Sequence, residues 1–375
     1  MRFTDIPGHE SVKDRLRAMV AADRIPHALL LEGPEGIGKL AMARAFAQYV
    51  HCQNRTPEGE PCGECQACRL HESNNHPDLF YAFPIFKRKS DSESYCEEFL
   101  DEWHEFLSSD MYADFDTWVR ILNPGTKQPI IYNSEGNAIL RKVSVKSYAS
   151  RYKIMIMWLP EKMKEECANR LLKMIEEPYD DTLLLFVSNN PQDILPTIYS
   201  RVQRVKMKRL PGELIERYLV DRYATEPQTA KAMAHMAEGS MTAAVGLLDV
   251  ETDNVEFLDY YRKLMRQAYM RDVRGLKIWS EEVADFKRER CGSFLEFLAR
   301  MIRESFIYNL GNRELNYMTR EEEAFNSKFC PFVNERNVSA IINETDRAAL
   351  DISRNANAKI VLFDYAIKMI VALRM

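Results

Sequence analysis

The sequence predicts an α/β domain built on a parallel sheet, followed by an all-helical half. Three observations carry this. Short apolar runs alternate with helix-like segments through residues 1–210, the rhythm of parallel strands joined by crossover helices. A glycine-rich turn joins the first apolar run to a strong helical segment. After Leu210-Pro211-Gly212 the strand signal stops and helical spacing takes over.

Taken in order, His27–Glu32 reads as the first strand and Leu40–Val50 as a helix. Ile154–Trp158 and Leu183–Ser188 read as further strands. Between them, Glu165–Glu177 has helical spacing, with Leu171, Leu172 and Ile175 on one face, and Pro178 ends it. Residues 83–145 interrupt the rhythm. They are polar and aromatic, carry Trp103 and Trp118, and read as an insertion with a helical piece around Glu97–Leu107. In the second half, Leu214, Ile215, Tyr218 and Leu219 share one helical face. Leu295, Leu298, Ile302, Phe306 and Leu310 share another, and Ile360–Leu373 reads as a mostly buried helix. The expected domains are 1–209, a small helical unit at 210–252, and a larger helical unit at 253–375.

The chain has 375 residues, is 46% hydrophobic and 29% charged, and carries a net charge of −5. This is an ordinary globular composition, long enough to bury sizeable cores. The acidic balance argues against a free-standing nucleic-acid binder, so any DNA contact should be local or shared with a partner. No apolar run approaches the roughly 18 residues of a membrane helix. Met1-Arg2-Phe3-Thr4-Asp5 has no apolar signal core, so a cytoplasmic protein is expected.

Four features point to chemistry. Gly33-Pro34-Glu35-Gly36-Ile37-Gly38-Lys39 follows a strand and opens a helix, the context of a phosphate-binding loop. Backbone N–H groups at Gly33, Gly36 and Gly38 would cradle phosphates, and Lys39 would neutralise them. The next position is Leu40, where the motif needs the hydroxyl of Ser or Thr to hold Mg²⁺. Whether ATP or ADP binds is left open. Second, the strand Ile154–Met157 runs into Trp158-Leu159, which offer no carboxylate for metal or water. Glu161 follows two or three residues too late.

Third, Ser200-Arg201-Val202 precedes a stretch where Arg204, Lys206 and Lys208 alternate with Val205 and Met207, as on a half-exposed strand. Spacing alone reads Arg201 as a basic residue opening an edge strand. Fourth, Cys52, Cys62, Cys65 and Cys68 put four thiols in a short segment after a helix. Four thiolates suit a structural Zn²⁺ with no open position. An iron–sulfur site is the alternative, because the last three share part of a ferredoxin-like spacing. Cys96, Cys167, Cys291 and Cys330 are scattered, as reduced thiols are. His51, His71 and His76 lie near the cluster and are expected at the surface.

Together these pieces resemble the delta-prime family of the bacterial DNA polymerase III clamp loader, within the AAA+ class. Phe3-Thr4-Asp5-Ile6-Pro7-Gly8-His9 is similar to the family's opening F-x-D-I-x-G-Q, and Arg24–Leu30 to its R-x-P-H-A-x-L. His76-Pro77-Asp78 fits its H-P-D, and Asn169–Pro178 resembles N-x-L-L-K-x-x-E-E-P, the most specific signal of all. That motif identifies Ile154–Met157 as the strand where acidic residues belong. Ser200-Arg201 matches S-R-C, with Val202 in place of the Cys.

The resemblance implies an AAA+ domain with an inserted four-cysteine zinc module at residues 50–78, a helical lid and an oligomerisation collar. It implies an arginine finger at Arg201, acting in trans on a neighbour's ATP. Leu40, Trp158-Leu159 and Thr242 (where an active sibling has the Arg of G-S-x-R) imply a stator that does not hydrolyse ATP itself. The implied partners are a gamma/tau-like ATPase subunit, a delta-like clamp-opening subunit, the sliding clamp and primed DNA, with no membrane. The insertion departs from the family pattern. Two other readings stay open: an ATP-hydrolysing, gamma/tau-like AAA+ loader subunit or related remodelling ATPase, and a zinc-stabilised DNA-binding module outside any ring.

Overall fold

The computed structural model describes residues 1–88, 93–125, 127–286, 288–310, 318, 320–354 and 356–374. Residues 89–92 and 126 of the 83–145 segment therefore lie outside the described residues. Contacts divide the chain into two compact units, Met1–Leu247 and Leu248–Met375, so the helices expected as a lid group with the first unit up to Leu247.

The first unit is built on a five-stranded sheet: β1 (Ala28–Glu32), β2 (Leu79–Ala82), β3 (Lys153–Trp158), β4 (Thr182–Ser188) and β5 (Gln203–Lys206). The strand order is β2-β3-β4-β1-β5 and every pairing is parallel. Parallel strands covered on both faces are apolar throughout. Accordingly β1, β3 and β4 are buried along their whole length. At the edge, β5 buries only Val205 and exposes Gln203, Arg204 and Lys206, as the alternation led us to expect.

The helices of this unit are α1 (Glu10–Ala21), α2 (Lys39–His51), α3 (Gln66–Glu72), α4 (Leu100–Ser109), α5 (Phe115–Leu122), α6 (Asn133–Ser144), α7 (Glu165–Glu176), α8 (Pro196–Tyr199), α9 (Gly212–Tyr223) and α10 (Pro227–Met236). A further helix, α11 (Met241–Met270), begins here and ends in the second unit. Helix α7 shows how the sequence dictates the packing. Glu165 and Glu166 sit in its first turn, where the helix dipole favours acids. Cys167, Ala168, Leu171, Met174 and Ile175 recur at three- and four-residue spacing and form the buried face. Leu172, placed on that face by the sequence, is only partly buried. Helix α6 packs Ala138, Ile139 and Val143 inward, and Ile139 and Val143 join the core shared by β1, β3, β4 and α7.

The stretch 96–122 folds around aromatic rings. Trp103 stacks on Phe83 at 4.0 Å and meets Trp118 edge-on at 5.2 Å. Trp103 and Trp118 are fully buried. Asp78, just before β2, accepts three backbone N–H bonds from Tyr148, Ala149 and Ser150 at 2.6, 2.7 and 2.8 Å. That clasp ties the chain entering β3 to β2.

The second unit is all-helical, with α12 (Val273–Ala284), α13 (Arg288–Asn309), α14 (Arg320–Phe329), α15 (Val338–Ser353) and α16 (Ala358–Ala372). Its core gathers Tyr261, Trp279, Phe294, Leu298, Ile302, Ile341, Leu362 and Met369. Fully burying one such side chain is worth about 1.5–3 kcal/mol. Leu310, assigned to an apolar face by its spacing, falls one residue past the end of α13 and is exposed. No helix of the described residues is long and apolar enough to cross a membrane.

Candidate functional site: a closed phosphate loop, an open arginine and a four-thiol cluster

The phosphate loop lies where the sequence puts it, between the C-terminal end of β1 and the start of α2. Gly36 and Gly38 adopt φ of 79° and 83°, the left-handed region that glycine enters without strain. Gly38 is the N-cap of α2, and Lys39 is its first residue. Gly33, Gly36, Gly38 and Lys39 are thus brought together. The loop nevertheless faces protein. A methyl group on Gly36 would lie 2.0 Å from the Ser240 hydroxyl, and the Gly36 carbonyl accepts the Met241 N–H at 2.7 Å. Lys39 is 4% exposed and donates its Nζ hydrogen bond to the Pro34 carbonyl of its own loop. Burial lowers its pKa to about 8, against the opposing pull of Glu35 and Glu161.

Next to the loop, the end of β3 is apolar. Trp158 and Leu159 are buried, and Trp158 packs between Trp103 and Phe106 with ring centroids at 5.4 and 4.9 Å. Neither side chain has an oxygen for a metal ion. Leu159 has φ of 56°, an uncommon conformation for a side-chain-bearing residue. Glu161 is used structurally, its Oε1 accepting the N–H groups of Asn189 and Asn190 at 2.9 and 3.2 Å.

Arg201 occupies the other end of the sheet. The β1–β5 register pairs Leu29 with Gln203, so β5 starts level with a residue four before Gly33, and Arg201 lies in the turn just ahead of that start. At about 3.3 Å per residue the start of β5 is roughly 13 Å from the phosphate loop along the strand direction. Its side chain is 40% exposed and is held by Glu176 of α7, with Nε to Oε1 at 2.6 Å, and by the Thr197 carbonyl at 2.9 Å.

Cys52 ends α2, Cys62 and Cys65 lie in the following loop, and Cys68 is in α3. Their four sulfurs lie within 4.8 Å of one another, with Cys52 and Cys62 at 3.6 Å and Cys62 and Cys68 at 3.9 Å. Thiolates on a tetrahedral ion with bonds near 2.3 Å are separated by about 3.8 Å. The spacing therefore suits one ion, where a cluster of several irons would hold its ligands further apart. The N–H groups of Cys65 and Glu64 hold the Cys62 thiol down to about 6, whereas burial pushes Cys68 up to about 12. A cation among them would supply the charge that makes all four thiolates. All eight cysteines are free. The loop is pinned to the N-terminus by Glu60, which accepts from the Phe3 N–H and from Arg17, each at 2.8 Å.

His51, His71 and His76, expected at the surface, are buried, at 4%, 7% and 3% exposure. Their rings cluster, with His51 hydrogen-bonded to His71 and His76 stacked on His51 at 4.1 Å. His76 accepts the Asp78 N–H at Nδ1, which leaves Nε2 to donate to the Ser150 hydroxyl. His51 donates through Nε2 to the Tyr152 carbonyl, which leaves Nδ1 to accept from His71. Polar groups can be buried when they are paired this way, and both nitrogens of His76 are already committed. Burial lowers the pKa of all three, His51 to about 3 and His71 to about 2.

The family model described as DNA polymerase III, delta subunit, matches residues 8–211. This chain belongs to that polymerase III family, in its delta-prime branch. DNA polymerase III subunit delta' of Bacillus subtilis is 28% identical over 251 residues, covering 66% of this chain and 60% of the relative. The delta' subunit of Pseudomonas aeruginosa is 30% identical over 249 residues, covering 64% and 62%. DNA polymerase III subunit tau of Bacillus subtilis is 26% identical over 253 residues, covering 66% and 37%. The chain thus spans about 60% of the length of its delta' relatives. The match covers the phosphate loop, the thiol cluster and Arg201, and leaves the second unit outside it.

Tyr112 escaped the sequence reading. It lies in the insertion, yet its ring reaches the phosphate loop. A methyl on Gly38 would sit 3.1 Å from Tyr112 Cε1. No spacing or composition signal marks it.

Proposed function

We propose that this chain is the non-hydrolysing stator of a DNA polymerase III clamp loader, lending Arg201 to ATP bound by a gamma/tau-like neighbour. The observation that carries the reading is the placement of Arg201. It is 40% exposed at the strand end opposite its own phosphate loop, where a neighbour's γ-phosphate could compete for it with the half-exposed Glu176. A positive charge supplied in trans to a γ-phosphate is worth on the order of 10³–10⁵ in rate. Leu40, Trp158 and Leu159 support the complementary half, because none offers an oxygen to Mg²⁺ at the loop or at the end of β3.

In this reading Cys52, Cys62, Cys65 and Cys68 hold a structural Zn²⁺ that folds residues 50–78 and takes no part in catalysis. The helices from 210 to 252 act as the lid, and the helices of the second unit act as the collar that assembles the ring. Further partners are a delta-like clamp-opening subunit, the sliding clamp and primed DNA, in the cytoplasm. The test is reconstitution with the gamma/tau-like ATPase. Arg201→Ala should leave assembly intact and slow ATP turnover by about a thousandfold at the adjacent site. Unchanged turnover in an assembled complex would remove the finger role.

A further inference from the structure

We propose that residues Asp110–Asp114 are a built-in occupant of the nucleotide pocket, with Tyr112 lying against the phosphate loop in place of a nucleotide and latching the loop to helices α9 and α11. This rests on reading Gly33–Lys39 as a degenerate nucleotide site, and it names what fills that site.

Tyr112 is 3% exposed. One edge of its ring meets the backbone at Gly38. The ring also meets Tyr218 of α9 edge-on at 5.6 Å. The Tyr112 carbonyl accepts the hydroxyl of Thr242 in α11. Asp110 extends the clasp, accepting the Tyr112 N–H at 2.7 Å and the Tyr223 hydroxyl of α9 at 3.2 Å. Three separate stretches of chain therefore converge on this residue of the insertion: the loop, α9 and the start of α11.

Little space is left. The cavity lined by Gly36, Gly38, Lys39, Tyr112, Asp114 and Thr242 measures about 30 Å³. That is room for about one water, against the roughly 300–1,000 Å³ of small-molecule sites. A groove of about 660 Å³ does open on the outer side of Gly33–Glu35. It is lined by Glu35, Asp116, Glu161 and Asp193 against Lys162 and Lys206, a balance that repels a polyphosphate. Burial, then the charges of Asp114 and Asp116, raise the Glu35 pKa, which reports the same crowding of carboxylates.

A nucleotide bound between an α/β core and a helical lid bridges the two and can change the angle between them when it is hydrolysed. A tyrosine from the chain itself bridges them permanently. The fold thereby gains stiffness where a motor subunit needs motion. The Tyr112 hydroxyl is buried without a hydrogen-bond partner among the described residues, so the ring, and not the oxygen, provides the fit.

The experiment uses the full chain with MgATP as the probe. Titration calorimetry should show no ATP binding to the wild type or to Tyr112→Phe at millimolar nucleotide. Hydrogen exchange should find residues 36–40 and 240–243 protected in both. Tyr112→Ala should speed exchange in both segments by roughly tenfold or more. Thr242→Val, a milder change, should loosen residues 111–114 without unfolding the chain. ATP binding to the wild type would overturn the proposal, as would unchanged exchange in Thr242→Val together with a folded Tyr112→Ala. ATP bound but not turned over would defeat the occupant and leave the stator reading standing. A confirmed latch with an inert Arg201→Ala would do the reverse.

Discussion

At the C-terminal edge of the sheet, Lys39 is 4% exposed and bonded to its own loop, and β3 ends in the buried pair Trp158-Leu159. At the opposite end, two residues before β5, the Arg201 side chain is 40% exposed and, among the described residues, is held by an exposed carboxylate and its own turn. The two ends share one scaffold, and β1 borders both. The difference teaches that a parallel sheet can hold a phosphate loop and an exposed arginine at opposite strand ends. In the proposed stator reading, a loss at the loop would leave Arg201 in position. Each end can then be altered without the other, and paired substitutions test that independence.

The largest contrast is between the two basic residues. In a reconstituted loader, Arg201→Ala should cost about a thousandfold in turnover at the adjacent site, whereas Lys39→Met should leave turnover within about twofold. In an intact phosphate loop the lysine would be as damaging as the finger. Equal losses from the two would erase the asymmetry.

Next in size is Trp158→Asp. It restores a carboxylate to the end of β3, but it removes a ring packed on Trp103 and Phe106 and buries a charge. We expect a loss of about 3–5 kcal/mol in denaturant melts and no gain of hydrolysis. Turnover gained without loss of stability would show that the closed end is only lightly closed.

Cys65→Ser probes a region outside the comparison. It should release about one metal equivalent and speed exchange across residues 50–80, while the sheet keeps its melting point within a few degrees. A stable wild-type protein free of metal would contradict the zinc assignment.

The smallest effect is a pH dependence. The folded-state pKa of Lys39 is depressed from 10.5 to about 8, so the unfolded chain binds more protons between those values. Stability should therefore rise with pH across that window, by up to about 3 kcal/mol in total, with the penalty fully present below pH 8. Lys39→Met should flatten the rise, as chemical denaturation at pH 7.5 and pH 10 would show. An unchanged slope would mean that Lys39 is better solvated than its burial implies.

Much of this was legible in the sequence. The strands β1, β3 and β4 are central, so their apolar runs are nearly unbroken and could be located within a residue or two. The four cysteines declared their own proximity, because so short a segment can only bring them together. The asymmetry of the sheet was also visible, in Leu40 and Trp158-Leu159 on one side and Ser200-Arg201 on the other. β2 was missed because four residues at a sheet edge leave no periodic signal. Within the insertion, the helical piece expected around Glu97–Leu107 is present as α4 and carries Trp103 and Phe106 at i, i+3. Their meeting with Phe83 and Trp118 is a tertiary contact, so no helical or strand period connects those rings to α4. The histidines were misplaced because burial of an imidazole depends on partners far along the chain, Tyr152 for His51 and Ser150 for His76. Tyr112 belongs with them, since its neighbours Gly38, Tyr218 and Thr242 come from three other segments.

The most direct test is the simplest one. The purified chain, free of other ATPases, should show no magnesium-dependent ATP turnover above background. Turnover at the pace of an ordinary ATPase, abolished by Lys39→Met, would contradict the account.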